Sequence, residues 1–285
     1  MSETYGLQEG AFGRAVVLEL RDDLVSHAHA ETQFAFWLGG GRAQARVMND
    51  IVQYAEDVAL GTNAYEAHDA RLLDQAHPAM FLILYISKPW LDERRATSGR
   101  PFHFPSPRVP ISAALRQGCW RLLDNIVSPQ QQSIARLEVE IEGIISAAID
   151  ASLAPFDPVS LRSRAPPLDH RLRAAIAYMR DHVAEPLAVE EVASKVGLSR
   201  TQFFSLFRDQ LSTTPQVFWS AVRVEEAVRR LMLHGEPLTE VALELGFSSP
   251  GNFSRFFRDH MGVSPSRFRR VAAAGADSHP VTGVP

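Results

Sequence analysis

The stretch GFSSPGNFSRFFRDHMGVSP, at 246–265, combines arginines and phenylalanines at short spacing. Arginine can bind phosphates and base edges, and aromatic rings can stack on bases, so the segment could contact nucleic acid. The same composition also describes a helix that buries one aromatic face and exposes its basic residues. A looser copy, GLSRTQFFSLFRDQLSTTP, lies at 197–215, and any functional interpretation must explain this repetition.

The two copies align residue by residue. Gly197 corresponds to Gly246, and after the turn the offset grows by one residue, so that Phe203 corresponds to Phe253. Further pairs support the alignment; they are Val192 with Val241, Ala193 with Ala242, Phe207 with Phe257, Arg208 with Arg258, Asp209 with Asp259 and Pro215 with Pro265. So many matches indicate an internal repeat whose second copy has a longer turn.

Each copy has the pattern of a helix-turn-helix unit. Ala193 and Ala242 provide the small residue where the second helix crosses the first, and Gly197 and Gly246 suit a turn that needs positive φ. The second helix would bury its phenylalanines. Helix starts are marked by a Ser199–Gln202 capping box and by the pairs Ser249–Pro250, Thr214–Pro215 and Ser264–Pro265.

The segment between the copies, 215–233, is predicted to be a single helix about 28 Å long. Such a helix would hold the two second helices about 34 Å apart, which is one turn of DNA, so both could enter successive major grooves. A helical bundle that contains a repeat but binds no DNA is the alternative interpretation.

Residues 170–270 resemble the DNA-binding domain of the AraC/XylS family of bacterial transcription regulators. The resemblance is carried by LTEVALELGFSSPGNFSRFFRDHMGVSPSRFRR, which has the family's GF, FSRFFR, GVSP and closing FR motifs. The first unit departs from the family pattern at Ala188 and at LSTTP, and both departures concern helix ends. The resemblance implies a sequence-specific regulator rather than an enzyme.

The predicted DNA contacts lie opposite the aromatic stripes of the two second helices. The candidates are Arg200, Thr201, Gln202, Ser205 and Arg208 in the first unit, and Ser249, Gly251, Asn252, Ser254, Arg255 and Arg258 in the second. Among them, Arg200, Gln202, Asn252 and Arg255 are expected to read bases, because Arg, Gln and Asn can bond base edges bidentately. Capping alone also explains Ser249.

Length and composition suit two soluble domains. The chain has 285 residues, 46% hydrophobic and 22% charged, with net charge −4. The segment from Asp169 to Arg270 has 14 Lys and Arg against 12 Asp and Glu, and the remainder has 15 against 21. We predict a sensor and dimerisation domain at 1–153, a proline-rich linker at 154–168, the DNA-binding domain at 169–271 and a disordered tail at 272–285.

The N-terminal half is predicted to be a small antiparallel barrel followed by helices. Short apolar or alternating runs at 14–20, 33–38, 42–47 and 79–87 predict strands, and 109–127 and 130–152 predict helices. No run is long enough to span a membrane, and the N-terminus lacks a signal-peptide pattern, so we expect a cytoplasmic protein.

SHAHAETQFAFWLGG, at 26–40, resembles the cupin-like sensor barrel that precedes the DNA-binding unit in many family members. His27, His29, Gln33 and His68 are similar to the His–His–carboxylate–His metal site of cupin enzymes, with Gln33 in place of the carboxylate. Three interpretations stay open: structurally bonded histidines, a pocket for a small-molecule effector that also includes Trp37, or a metal site. We predict the pocket, with no metal and no cofactor.

The predicted partners are double-stranded DNA, an effector and a second copy of the chain, with RNA polymerase as a further candidate and no membrane. The apolar stripe at 130–152 would form the dimer interface, or alternatively cover the barrel. A metal-dependent cupin enzyme with a helical appendage is the alternative function. A DNA-repair fusion is disfavoured because Cys119 is the only cysteine and has no activating neighbours in the sequence.

Overall fold

The computed structural model describes residues 2–98, 103–127, 134–154, 168–211, 213–233 and 235–277. The strands are β1 (Glu3–Gly10), β2 (Gly13–Leu20), β3 (Leu24–His27), β4 (Thr32–Gly40), β5 (Ala43–Val47), β6 (Asp50–Gln53), β7 (Val58–Thr62), β8 (His68–Leu72), β9 (Ala79–Ile86) and β10 (Arg108–Pro110). The helices are α1 (Lys88–Ser98), α2 (Ala113–Val127), α3 (Ile134–Leu153), α4 (His170–Asp181), α5 (Val189–Lys195), α6 (Arg200–Leu211), α7 (Pro215–Leu233), α8 (Leu238–Glu244), α9 (Pro250–Met261) and α10 (Pro265–Asp277).

The strands form two antiparallel sheets. One has the order β1-β2-β9-β4-β7-β10 and the other the order β3-β8-β5-β6. Between them lies an apolar interior to which Leu18, Ala45, Leu60 and Phe81 contribute. The predicted fold, a cupin-like barrel with C-terminal flanking helices followed by a helical double helix-turn-helix, is confirmed.

The four predicted strands correspond to β2, β4, β5 and β9. The sequence prediction missed β1, β3, β6, β7, β8 and β10, as well as helix α1. Most of the missed strands have four or five residues or lie at a sheet edge, where partial exposure blurs the apolar alternation.

The outer face of the six-stranded sheet is covered by α1, α2 and α3. Val17, Phe34 and Leu84 point to this side and pack in one cluster with Ile141 and Ile145 of α3. The apolar stripe of α3 is therefore buried within a single chain. The expectation that this stripe forms a dimer interface was wrong, because the sheet offers a second apolar face that the stripe covers.

The predicted helix at 109–127 was wrong in its first residues. Arg108–Pro110 is the edge strand β10, in which Val109 pairs with Ala59 of β7, and the helix begins only at Ala113. Pro110 accounts for the break, because proline fixes φ and cannot donate a backbone hydrogen bond inside a helix.

The C-terminal region contains the two predicted helix-turn-helix units, α5–α6 and α8–α9, joined by α7. Helix α7 has the bounds predicted for it, Pro215–Leu233. Gly197 and Gly246 have φ of 70° and 71°, the left-handed conformation that each turn requires.

The predicted helix starts are also confirmed. Ser199 and Gln202 form the capping box, with Oγ of Ser199 accepting from the Gln202 amide at 3.3 Å and Oε1 of Gln202 accepting from the Ser199 amide at 3.0 Å. Ser249 caps α9, and Thr214 and Ser264 each accept a backbone amide at the starts of α7 and α10. Residue types alone located these ends, because each cap satisfies an amide with no partner inside the helix.

The predicted tail begins too early. Helix α10 continues to Asp277, six residues beyond the expected end at 271, and Val271 and Ala272 pack against the apolar cluster of the second unit. The alanine-rich sequence after Val271 favours helix, which explains the extension. The rest of the predicted tail, and all but the ends of the predicted linker at 154–168, lie outside the described residues.

The two turn glycines form a matched pair for a stability test. A Cβ at Gly246 would lie 2.1 Å from the carbonyl oxygen of Ala184, whereas a Cβ at Gly197 would have nothing within 4 Å. We expect Gly197→Ala to cost about 1–2 kcal/mol through positive φ alone. Gly246→Ala should cost a further ~1–3 kcal/mol through the clash. Urea unfolding of both variants measures the free energies of unfolding. Equal losses of free energy in the two variants would contradict the predicted clash between residue 246 and the carbonyl oxygen of Ala184.

Candidate nucleic-acid interface and barrel cavity

The second helices of both units are oriented by their phenylalanines. Phe203 and Phe207 of α6, and Phe253 and Phe257 of α9, are fully buried. Because these residues recur every four positions, they occupy one face of each helix and leave the polar side chains on the opposite face. The phenylalanines therefore serve as core, as expected, and do not form a stacking platform.

The outer face of α6 carries Arg200, Thr201, Gln202, Ser205 and Arg208, and all five are exposed. All of them except Gln202 line a shallow cleft together with Phe204. The Arg200 guanidinium lies over the Phe204 ring at 4.8 Å and pairs with Glu190 at 2.7 Å. The ring and the carboxylate hold this guanidinium against the helix surface.

The outer face of α9 presents Gly251, Asn252 and Arg255, which are exposed. The Asn252 side chain donates to Oγ of Ser248 at 2.8 Å. Arg255 has no hydrogen-bond or ion-pair partner within the part of the chain that the structure describes. Its guanidinium is therefore available to an external ligand.

Two other predicted contacts in the second unit are less open. Ser254 and Ser249 are half-buried, and the Oγ of Ser249 accepts the Asn252 amide as the cap of α9. Arg258 is also half-buried and lines a cleft of about 400 Å³ with Asp22 and Asp23 of the barrel. The structure thus places Arg258 at the junction with the barrel.

Arg223 is a structural residue that the sequence prediction missed. It lies on α7, donates to the carbonyl oxygen of Leu245 at 2.6 Å and stacks over the Phe247 ring at 3.9 Å. Both contacts are in the turn of the second unit, so Arg223 fixes that unit to the connecting helix. Its position inside an amphipathic helix gave no sign of this role.

The barrel has a partly open cavity of about 30 Å³ between its sheets. That volume holds about two water molecules. Its wall is mainly apolar and includes Leu18, Leu60 and Phe81, while His27, Gln33, Tyr54 and His68 contribute polar groups.

The histidines predicted for the pocket lie close together. The ring centroids of His27 and His68 are 4.4 Å apart, and that of His29 lies 5.1 Å from His68. Nε2 of His29 lies 2.8 Å from the side-chain amide of Gln33. Two of the residues predicted for the pocket, His29 and Trp37, do not line the cavity. The indole of Trp37 donates to the carbonyl of Gly41 at 3.2 Å.

Burial keeps these imidazoles neutral. Removal from water lowers the pKa of His27 to about 3 and holds the pKa of His68 well below its ordinary value. The pKa of His29 is also lowered by burial, although the Glu31 carboxylate opposes the shift.

The cupin fold raises the question of a metal, and the residues present do not fit one. Gln33 stands where a carboxylate ligand would be, and its amide bonds His29 instead. Across the described ranges, no group of three or more His, Cys, Asp or Glu residues has the geometry to hold a metal ion. The enzyme alternative therefore gains no support from this cluster.

The barrel also packs directly on the second helix-turn-helix unit. Gly262, which ends α9 with φ of 74°, lies against β3, and a Cβ there would be 3.3 Å from Leu24. Arg267 of α10 donates to the carbonyl of Thr4 in β1 at 3.2 Å. His260 of α9 lies 6.4 Å from His27, between ring centroids.

The barrel reaches the first unit through a separate contact. The ring of Tyr65, in the loop after β7, lies 4.7 Å from Phe218 at the start of α7, and its hydroxyl bonds Arg180 of α4. Tyr65 thus packs against the apolar cluster of the first unit through the adjoining helices α4 and α7.

Cys119 is fully buried on α2, and burial raises the pKa of its thiol to about 12. The thiolate is the reactive form of cysteine, so this residue is inert at neutral pH. Cys119 therefore cannot serve as the reactive cysteine that the DNA-repair interpretation requires.

Comparison with known proteins identifies the helical region. Residues 192–271 match the model of a family described as a helix-turn-helix domain. The chain is 34% identical over 112 residues to the transcriptional activator RhaS of Klebsiella pneumoniae, which covers 39% of this chain and 40% of RhaS. It is 35% identical over 105 residues to the arabinose operon regulatory protein of Escherichia coli, covering 36% of each chain.

The matched segment thus spans less than half of the length of these relatives. It defines a helix-turn-helix domain of the kind found in transcription regulators. The resemblance to the AraC/XylS family is confirmed on this domain.

The complete fold is similar to that of ToxT from Vibrio cholerae. An apo ToxT structure aligns with a TM-score of 0.63 and 11% identity, covering 93% of this chain and 99% of ToxT. A fatty-acid-bound ToxT aligns with a TM-score of 0.55 and 12% identity, covering 95% of both chains. At this identity the likeness establishes the shared fold.

Within the described residues, no helix combines the length and apolar character needed to cross a bilayer.

Proposed function

We propose that the protein is a sequence-specific DNA-binding transcription regulator. The observation that carries this proposal is the repetition of one surface on α6 and α9, two helices of equal length that follow turns with matching glycine conformations. Each helix buries its phenylalanines and exposes arginine together with an amide side chain. Arg with Gln or Asn is the combination that bonds guanine and adenine edges in the major groove.

The connecting helix supports binding by both units at once. Helix α7 has 19 residues, which corresponds to about 28 Å. With the width of the flanking helices added, this length suits two recognition helices in successive major grooves about 34 Å apart. Arg223 fixes the second unit to this helix, so the spacing is built into the domain.

Arg255→Ala is the sharpest test of the DNA interface. Arg255 is exposed and unpaired, so its removal should leave the fold intact while weakening duplex binding about tenfold to hundredfold through a lost base contact. Arg46→Ala, an exposed arginine on barrel strand β5, is the matched control and should bind normally. Fluorescence anisotropy with duplexes selected by the protein from random sequence measures both.

The salt dependence sharpens the same test. The DNA affinity of the wild type should fall as the salt concentration rises. A smaller slope of log affinity against log salt concentration in Arg200→Ala and in Arg255→Ala would support direct DNA contacts by both units. Wild-type affinity in both variants would contradict the assignment of α6 and α9 as the reading helices.

We propose that residues 1–153 form the sensor domain, 154–168 the linker and 169–271 the core of the DNA-binding domain. The interior of the barrel is the proposed effector site. Its apolar wall favours a largely apolar ligand, and one ToxT structure contains an unsaturated fatty acid. Since the cavity holds about 30 Å³, such a ligand must expand it.

Expansion of the cavity provides a route from effector to DNA. Leu24 and His27 of β3 line the cavity, and the same strand contacts α9 and Gly262 of the second unit. In the docked arrangement the barrel packs on α9, and in the undocked arrangement this contact is broken. A ligand that displaces β3 would bind the two arrangements with different affinities, and this difference would shift the equilibrium between them.

A cavity-filling variant tests the effector site. Ala35→Leu narrows the cavity, whereas Ala15→Leu adds the same volume to the opposite, helix-covered face of the sheet. Each should cost about 1–3 kcal/mol by overpacking. An unsaturated fatty acid, used as the first probe, should raise the melting temperature of wild type and Ala15→Leu but not of Ala35→Leu.

Stabilisation of Ala35→Leu to the wild-type extent would place the fatty acid outside the barrel. If the fatty acid has no effect on wild type, the same comparison applies to each other compound screened by melting temperature.

The protein is further proposed to be a homodimer that uses the outer face of α2 and α3. Trp120 and Val139 are 42% and 68% exposed there. Arg121 lies 3.5 Å from Glu140, so the face carries both signs of charge. A patch with apolar centre and both charges can pair with its own copy around a two-fold axis.

Val139→Asp should weaken the dimer at least tenfold, because it would bury an unpaired charge at the centre of the interface. Ile51→Asp, at an exposed position on barrel strand β6, is the control and should dimerise as wild type does. Sedimentation velocity over a concentration series measures both. A wild type that remains monomeric at micromolar concentration would contradict the proposal.

RNA polymerase is a further proposed partner, on the basis of the resemblance to activators of this family. The cytoplasm is the proposed location, because that is where a bacterial regulator meets DNA.

A further inference from the structure

Four histidines from two domains meet where the barrel packs on α9. We name His27, His29, His68 and His260 the histidine cluster. The barrel members are less than 8% exposed, and His260 is half-buried. His27 is the centre of the group, with ring centroids 4.4 Å from His68, 6.2 Å from His29 and 6.4 Å from His260.

All four rings are held in the same way by the backbone. Nδ1 of His27, His29, His68 and His260 lies 2.8, 2.7, 2.9 and 2.7 Å from the carbonyl oxygens of Val25, Glu31, Glu66 and Phe256, respectively. A carbonyl oxygen can only accept, so Nδ1 of each ring carries a proton, and Nε2 of neutral His27, His68 and His260 is an acceptor. His29 differs, because its Nε2 lies 2.8 Å from Oε1 of Gln33, which is also an acceptor. Nε2 of His68 is buried with no partner among the described residues.

The charged and titratable groups around the cluster come from every element packed against it. They are Arg14 of β2, Asp22 and Asp23 after β2, Glu31 before β4, Tyr54 after β6, Asp69 of β8, Tyr85 of β9, Glu225 of α7, Arg258 and Asp259 of α9, and Arg267 of α10. Most of the barrel carboxylates are already engaged. Glu31 pairs with Arg14 at 2.5 Å, and Asp69 accepts from the Arg46 amide at 2.9 Å and pairs with Arg71.

His27 and His68 therefore have no free carboxylate as a partner for a proton. Burial is the main cause that lowers the pKa of both rings. Repulsion from His29 and His260 lowers the pKa of His27 further, and repulsion from His27 and His29 lowers that of His68. For His260, burial lowers the pKa while Asp259 opposes the shift. The docked arrangement thus favours neutral rings on both sides of the domain contact.

We propose that the histidine cluster makes the docking of the barrel on the second helix-turn-helix unit sensitive to protons, with acidification releasing α9 from the barrel. Opening would return His260 and His27 to water, where each could take up a proton that the docked state excludes. The consequence for DNA rests on the proposed function, since a released second unit would no longer be held in the arrangement set by the barrel.

The direction of the pH effect follows from the lowered pKa values. Neutral histidines contribute their full docking stability above the ordinary pKa of about 6.5, and the contribution is lost progressively as pH falls below that value. Between pH 7.5 and 5.5 the opening equilibrium should rise about tenfold for each histidine protonated only in the open state, hence up to about hundredfold for two.

Hydrogen exchange of the full-length protein without DNA tests the proposal. Amides at the contact, including that of Gly262, which donates to the carbonyl of Arg258 at 2.8 Å, should lose protection by about tenfold to hundredfold from pH 7.5 to 5.5, after correction for intrinsic exchange. The double variant His27→Asn/His260→Asn should remove this dependence, because the Asn amide keeps the donor to the backbone but does not titrate. His77→Asn, at an exposed barrel position, should retain it.

Amides of the β2–β9 pairing report global opening and should change less than those at the contact. Contact protection that is independent of pH in wild type, or equally pH-dependent in the double variant, would overturn the proposal. If circular dichroism shows that the double variant does not fold, His260→Asn alone replaces it in the test. The logarithm of its loss of protection between pH 7.5 and 5.5 should then be about half of that of the wild type. The assay contains no DNA, so its failure is distinct from a failure of Arg255→Ala to weaken duplex binding.

Discussion

The six-stranded sheet is apolar on both faces, and the arrangement of the whole molecule follows from the need to cover them. Val17, Leu82 and Leu84 face α2 and α3, while Leu18, Phe81 and Ile83 face the second sheet. Burial of a large aliphatic or aromatic side chain contributes about 1.5–3 kcal/mol, so neither face can remain open to water. The same inner cluster continues into α7, α9 and α10, which makes the second helix-turn-helix unit part of the barrel's own packing.

This continuity gives the two helix-turn-helix units different surroundings. The first unit has its own core, centred on Phe203, Phe207 and Phe218, and meets the barrel mainly through Tyr65. The second shares its core with the barrel and has α9 against β3. A change inside the barrel therefore reaches the second unit by direct contact, whereas the first unit would sense it only through α7.

The sequence predicted the helical half well because each signal was local. Turn glycines, capping residues and prolines at helix starts act within one helical turn, so Gly246, Ser249 and Pro265 could be located without tertiary information. The barrel was predicted only in outline. Strands such as β3 and β8 are defined by partners far along the chain, as in the pairing of His27 with His68, and no local pattern encodes that pairing.

The candidate site shows the same division. Exposure of Arg255 and burial of Phe253 follow from helical periodicity, but the placement of Arg258 beside Asp22 and of His260 beside His27 depends on how two domains dock. The surface that the apolar stripe of α3 covers could not be predicted either, because such a stripe has the same sequence whether it packs on a sheet or on a second copy of the chain.

Gly262 allows the barrel and α9 to approach each other closely. Its left-handed conformation ends the helix, and its lack of a side chain leaves only 3.3 Å between the Cβ position and Leu24. A residue with a side chain at 262 would contact Leu24 and would also be strained by the positive φ. The end of the reading helix and its contact with the barrel therefore depend on the same residue, and a substitution there would change both together.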